Sequence, residues 1–348
     1  MKKALTALLA AAMMMSLAAC NNGKSNPPSS ASQPISGSQP GSASQSGGQT
    51  ASGPRLSGDY IFATGGTAGT YYGFGGIVAQ VLNAATGANI TANSTGASVE
   101  NARLIASGDA DIAFIQTDVI SYALDGINNF EDGKLENLKT VASIYPEMIH
   151  IVTVDDSVNS IDDLRGKAVS VGAPGSGDEA NARHILAAYG MDYDDIDARF
   201  LSNAEASAAM QDGTISAALY ATGAPNPGLV ELSLVKPMRL ISLDQKAMDY
   251  LLQQGPFYTR ERIEKDVYGT AEGADVLAVK AAVAVRAEMS DDEVYALTKA
   301  LFENKDQIAA MHVKGEEISL ETALDGIRPE SLHPGAVRYY EEMNVEIG

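Results

Sequence analysis

The sequence predicts an α/β protein of two lobes that close like a clamshell. Three observations predict it. From Leu56 onward short apolar strands alternate with helices, the pattern of a parallel sheet with right-handed crossovers. That alternation runs twice along the chain, without visible sequence repetition. A third section then returns with another long apolar strand, so the chain crosses between lobes more than once. The length of 348 residues suits two domains or one two-lobed protein, at roughly 100–200 residues per domain.

In the first run, Asp59–Thr64 reads as a strand, Thr70–Ala85 as a helix and Ile90–Ser94 as a strand. Val99–Ala106 reads as a helix stopped by Gly108, Asp111–Ile115 as a strand, and the segment through Ser121–Leu124 as a helix ending at Gly126. Val141–Val154 is long and apolar, and the strand is expected to break at Pro146, because proline cannot donate to a ladder. Ser160–Leu164 reads as an N-capped helical turn. In the second run, Ala168–Val171, Ala198–Leu201 and Ser216–Tyr220 read as strands. Asp178–Tyr189 and Ala204–Gln211 read as the helices between them. In the third, Ala278–Val285 reads as a strand, Asp291–Phe302 as an amphipathic helix capped by Ser290, and Gly335–Met343 as a terminal helix after His333-Pro334.

The N-terminus is of a different kind. Met1-Lys2-Lys3 is basic, and Ala4–Met15 is an apolar run broken only by Thr6, too short for a membrane span but suited to a secretory signal. Leu17-Ala18-Ala19-Cys20 resembles a bacterial lipobox, which implies cleavage before Cys20 and lipidation of its thiol, with residues 1–19 as the signal peptide. The alternative is an ordinary signal with an incidental cysteine. Residues 20–54 then form a tether: of the 34 residues from Asn21 to Pro54, 25 are Ser, Gly, Pro or Gln. Such a segment buries too little apolar surface to order itself and is expected to behave as a coil spanning about 30 Å. The folded body is expected to divide into lobe one, residues 55–146 with 243–348, and lobe two, residues 147–242.

Composition excludes several classes. Against 24 Lys and Arg stand 44 Asp and Glu, a formal net charge of −20. That argues against a nucleic-acid binder and against docking on anionic lipid through a basic patch. With one cysteine there is no intramolecular disulfide and no Cys-rich zinc site. His150, His184, His312 and His333 are too far apart for a helical metal pair, and no metal or cofactor is expected.

The candidate chemistry lies where strands exit into helices, the place where open α/β sheets hold ligands. Gly65-Gly66-Thr67-Ala68-Gly69-Thr70-Tyr71-Tyr72-Gly73 opens a helix, where free N–H groups favour a negative group. It lacks the Lys-Ser/Thr of a P-loop, and Val78 stands where a dinucleotide fingerprint needs Gly or Ala. Either Gly69, Thr70, Tyr71 and Tyr72 meet a ligand, or the turn is structural with both tyrosines in the core. Gly172-Ala173-Pro174-Gly175-Ser176-Gly177-Asp178 is a second such turn. It matches G-x-G-x-x-A, but Asp178 and Glu179 would press carboxylates on a pyrophosphate; a turn offering the Ser176 hydroxyl and the Gly177 backbone to a small ligand fits better. Ser94 and Thr95 before the second helix, and Gln116 and Asp118 before the third, can cap those helices or touch a ligand. Glu147 is an unusual acid in an apolar strand and can receive a ligand ammonium or bond a neighbour across the cleft. Tyr220 closes another strand and can wall the pocket. Arg183 is expected to pack on the surface, and the acidic run Asp192–Asp197 fails the calcium-loop pattern at its sixth and twelfth positions. No G-x-S-x-G elbow occurs in the body.

Taken together, Gly69–Gly73, Ser94–Asn101, Ala113–Asp118, Tyr145-Pro146-Glu147, Ser170–Gly177, Pro256-Phe257-Tyr258, Lys299–Asn304 and Leu332–Ala336 resemble the TAXI family, the solute-binding subunits of TRAP transporters. The likeness covers about Tyr60 to Tyr340. It implies a type II periplasmic-binding-protein fold, a ligand between two hinged lobes, and delivery to a membrane permease driven by an ion gradient. It implies a ligand such as glutamate, glutamine or 2-oxoglutarate, in a pocket built by Tyr71, Tyr72, Ser94, Gln116, Ser176 and Tyr220. No arginine lies in a matched loop, so N–H groups and hydroxyls are left to recognise a carboxylate. The competing readings are a sensor of the same fold and a secreted lipoprotein enzyme with Glu147 as general base, the latter weakened by the lack of paired catalytic groups.

Overall fold

The computed structural model describes residues 56–348. The segments expected from sequence to be a signal peptide, a lipidation site at Cys20 and a tether lie outside the described residues. The first run forms β1 (Asp59–Ala63), α1 (Thr70–Thr86), β2 (Asn89–Asn93), α2 (Ser98–Ser107), β3 (Ile112–Gln116) and α3 (Thr117–Asp125), close to the predicted bounds. There follow β4 (Leu138–Thr153), β5 (Ala168–Ser170), α4 (Gly177–Ala188), β6 (Asp197–Arg199), α5 (Asn203–Asp212) and β7 (Ala217–Thr222). Then come α6 (Pro227–Val235), β8 (Arg239–Leu240), α7 (Gln245–Leu252), β9 (Thr259–Ile263) and β10 (Ala274–Arg286). The chain closes with α8 (Asp291–Glu303), α9 (Lys305–Met311) and α10 (Pro334–Glu342). No helix among the described residues is long and apolar enough to cross a membrane.

The strands form one mixed sheet in the order β2-β1-β3-β10-β4-β7-β5-β6, with β8 beside β4 and β9 beside β10. Each half repeats one plan. β1 lies parallel between β2 and β3, and β10 runs antiparallel beside β3. Likewise β5 lies parallel between β6 and β7, and β4 runs antiparallel beside β7. The two donated strands, β4 and β10, pair antiparallel in the middle. The carboxyl ends of the two parallel trios, and the helices that follow them, therefore face one another across the centre.

Pro146 does not break β4, contrary to expectation. Proline is tolerated there for two reasons. A register irregularity falls between Ala281 and Ala282, opposite Tyr145 and Ser143, and pairing with β7 begins only at Met148. Pro146 therefore sits next to a bulge, in the stretch of β4 with one strand partner. Ser160–Leu164 yields only a short 3₁₀ turn at Asp162–Leu164, with Asp163 accepting the N–H groups of Asn159 and Ser160. The sequence reading left α6, α7, α9, β8 and β9 without elements. The alternating charges of Thr259–Ile263 mark a strand paired on one side, with β10.

Helix termini follow the chain chemistry. Ser290 caps α8 in a capping box with Glu293, and α2 ends at Gly108 in a left-handed conformation. Helix α1 is pinned to the first trio by an aromatic group. Phe114 of β3 lies 4.8 Å from Phe62, 5.1 Å from Tyr71 and 5.7 Å from Phe74, ring centre to ring centre. Gly75 permits this approach, because a Cβ there would stand 2.6 Å from the Thr64 methyl. Within residues 243–277, Ile263, Tyr268, Ala274 and Val276 share a core with Val152, Tyr220 and Leu229 of the second half, while Leu243, Met248, Leu251, Phe257, Tyr258 and Leu277 join a core built from both halves.

Phe114 is fully buried at the centre of the ring cluster. Phe114→Ala is expected to cost about 3–5 kcal/mol in urea unfolding, and a loss below about 1 kcal/mol would show that the cluster does not hold α1 in place.

Candidate functional site

A cavity of about 280 Å³ lies where the two halves of the sheet face each other. Its walls are the strand exits and the helix starts beyond them. The first trio contributes Gly65–Tyr71 after β1, Ser94–Ser98 after β2 and Gln116 at the end of β3. The second contributes Ala173 and Ser176–Asp178 after β5, Ser202–Ala204 after β6, and Ala221 and Thr222 at the end of β7. Glu147 of β4 completes the lining from the middle of the sheet. The halves touch directly around it. Thr70 and Thr222 hydroxyls are 3.2 Å apart, the Glu100 N–H donates to the Gly175 carbonyl at 3.1 Å, and Asn181 Nδ2 donates to Gln116 Oε1 at 2.9 Å.

Nine sequence-predicted residues line this cavity: Gly69, Thr70, Tyr71, Ser94, Thr95, Gln116, Glu147, Ser176 and Gly177. Three do not. Tyr72 follows Tyr71 on a helix, where successive side chains point about 100° apart, and is 38% exposed. Asp118 is carried by α3 behind Gln116 and is wholly buried, with no hydrogen-bond partner for either carboxyl oxygen. Tyr220 packs beneath α5, its hydroxyl 3.2 Å from the Ser207 hydroxyl. Arg183 points elsewhere, bonded to Glu179 and lying over the Tyr193 ring.

Asp178, Thr222 and Ser202–Ala204 were missed as contacts. The position of Asp178 just after a glycine-rich turn was the available signal. The start of α5 carries no glycine signal, and only the general rule of strand exits points to it.

Residues 62–343 match the NMT1-like family. The chain belongs to the NMT1-like family. Among solved structures, a protein of Bordetella bronchiseptica RB50 is 17% identical, with a TM-score of 0.51 over 81% of this chain and 88% of that one. The alkanesulfonate-binding protein SsuA from Xanthomonas axonopodis pv. citri, bound to MOPS, is 16% identical, with a TM-score of 0.47 over 81% and 83% of the two chains. An ancestral arginine-binding protein bound to arginine is 14% identical, with a TM-score of 0.46 over 74% and 98%. This NMT1-like protein has an α/β fold, a mixed sheet flanked by helices.

The charge of the NMT1-like cavity is acidic. Its ionisable side chains are Tyr71, Glu147 and Asp178. The Tyr71 hydroxyl donates to Glu147 Oε2 at 2.8 Å, and the Ala221 N–H donates to Asp178 Oδ1 at 3.0 Å. Burial still pushes the Glu147 carboxyl up to about 8, against the opposing Tyr71 bond. Burial likewise pushes Asp178 and Asp118 up to about 7. The helix starts supply the opposite polarity. Helices α1 and α2 have no side-chain cap at Gly69 and Ala97, whereas Ser176 and Ser202 cap α4 and α5. The first-turn N–H groups of α1 are thus free for a ligand anion. Ala97 reaches its place with φ of 80°, a strained value for a residue with a side chain.

The arrangement can hold a small molecule with a cationic group near Glu147 and Asp178 and an anionic group at the helix starts. Without a ligand, the raised carboxyls hold protons in the native state that the unfolded chain has released. Their stabilisation is therefore fully present below the ordinary Glu value of 4.5 and is lost as pH rises through about 8. The melting temperature of the ligand-free protein is expected to fall between about pH 5 and about pH 9, and the fall is expected to shrink in Glu147→Gln. An equal fall in that variant would mean that Glu147 is already ionised when buried.

Proposed function

We propose that this protein is the extracytoplasmic receptor of a TAXI-type TRAP transporter, which captures a small amino acid between two lobes and delivers it to the membrane permease. The residues following Cys20 would serve as a leash from a lipid anchor to the body. Lobe one consists of the first trio with α8–α10, lobe two of the second trio with the segment through β9, and the β4–β10 pair acts as hinge. Closing around the solute excludes water and strengthens every polar contact.

The observation that carries this reading is the cavity itself, where uncapped helix starts and two buried carboxyls line one chamber of about 280 Å³. An α-amino acid matches both polarities: its carboxylate meets the N–H groups of α1, and its ammonium meets Glu147 and Asp178. A dicarboxylate without an amine leaves those two acids unpaired, which disfavours 2-oxoglutarate among the solutes implied by the family resemblance.

Thermal unfolding against amino acids and carboxylates tests the assignment. A ligand at ~1,000 times its Kd stabilises by about 4 kcal/mol, a rise of several degrees. L-Glutamate or L-glutamine is expected to give it and 2-oxoglutarate is not. Asp178→Asn is expected to weaken the active ligand about 10- to 100-fold, the cost of one charged hydrogen bond. A larger rise with 2-oxoglutarate would overturn the amine requirement, and no compaction on scattering with any stabilising ligand would overturn lobe closure.

A further inference from the structure

We propose that Asn181, which does not line the cavity, is a positioning residue: it holds the side-chain amide of Gln116 by its oxygen and leaves the amino group as the end offered to the cavity and the solute. Two anchors fix the orientation of Asn181. Its Nδ2 lies 2.8 Å from the Gly177 carbonyl oxygen, which can only accept, so that atom must be the amino nitrogen. Its Oδ1 accepts the Tyr258 hydroxyl at 3.1 Å. The second amino proton then donates to Gln116 at 2.9 Å, so the Gln116 atom there is Oε1. With Oε1 held against Asn181, the amino group is the end of the Gln116 amide turned away from it.

The packing enforces this seat. Gly177 is the first residue of α4, and a Cβ there would stand 2.0 Å from Gln116 Oε1. Asn181 is one helical turn further on and fully buried. Behind it the chain of bonds continues, with Tyr258 3.2 Å and Tyr122 3.0 Å from His184 Nδ1. Gln116 belongs to the first trio and Asn181 to the second, so the donor is set only when the halves meet. The cavity thereby presents an N–H donor, suited to a solute oxygen, where an unconstrained glutamine could present either end. The orientation itself stands apart from the receptor reading; only its consequence for solute choice rests on it.

Side-chain amide hydrogen exchange on the ¹⁵N-labelled full chain tests it without a ligand. The Asn181 amino protons are expected to exchange slowly, both being bonded, and the Gln116 pair faster. Asn181→Asp removes the donor, so Gln116 is expected to turn its amino group to the new carboxylate and its exchange to slow. A protected Gln116 pair in the wild type, or exchange unmoved by Asn181→Asp, would overturn the proposal. Gln116→Glu keeps an acceptor for Asn181 and guards against a folding failure of the first variant. It is expected to leave the Asn181 pair protected while abolishing the thermal shift by L-glutamate or L-glutamine. Loss of protection at Asn181 there would again count against the lock. If neither amino acid shifts the wild type, the receptor reading loses its solute, while exchange still decides the lock.

Discussion

The antiparallel pairing of β4 with β10 is the constraint on which the rest of the structure depends. A parallel trio has an edge on either side and cannot close on itself. Here each trio is completed by an antiparallel strand, β10 beside β3 and β4 beside β7, and those two strands pair with each other. Because the chain passes through the middle by both strands, the two trios are joined at one seam with their carboxyl ends opposed. The strand exits of both halves converge there, as does Glu147, which β4 itself carries.

This seam concentrates unlike polarities in a small volume. Free N–H groups at the start of α1 come from one side and acidic side chains from β4 and α4. Burying Glu147 and Asp178 without a lysine or arginine beside them in the cavity lining is costly, and the cost is met by protons or by a cationic group. The bonds of Tyr71 to Glu147 and of Ala221 to Asp178 offset part of it. An acidic cavity in an acidic protein therefore offers side chains to a positive group and backbone N–H groups to a negative one. That division is consistent with loops that carry no arginine.

Much of the fold was legible because the alternation of strand and helix is a local property. The glycines that end helices and the Ser290 box that starts α8 are local as well. Pro146 was misleading because its cost depends on which neighbours β4 has at that point, a matter of pairing rather than of sequence. Tyr71 and Tyr72 are indistinguishable by type, and only the seating of α1 on Phe114 turns one inward and the other out.

The sequence by itself determined the α/β class, the two runs, and the loops from which the site is built, since periodicity and glycine-rich turns are written in adjacent residues. Tertiary structure alone decided which loops meet and what charge they enclose. Glu147 and Asp178 are 31 positions apart in the chain, and Gln116 and Asn181 are 65 apart. Their chemistry arises from proximity and from the removal of water, and neither is encoded in any short stretch of residues.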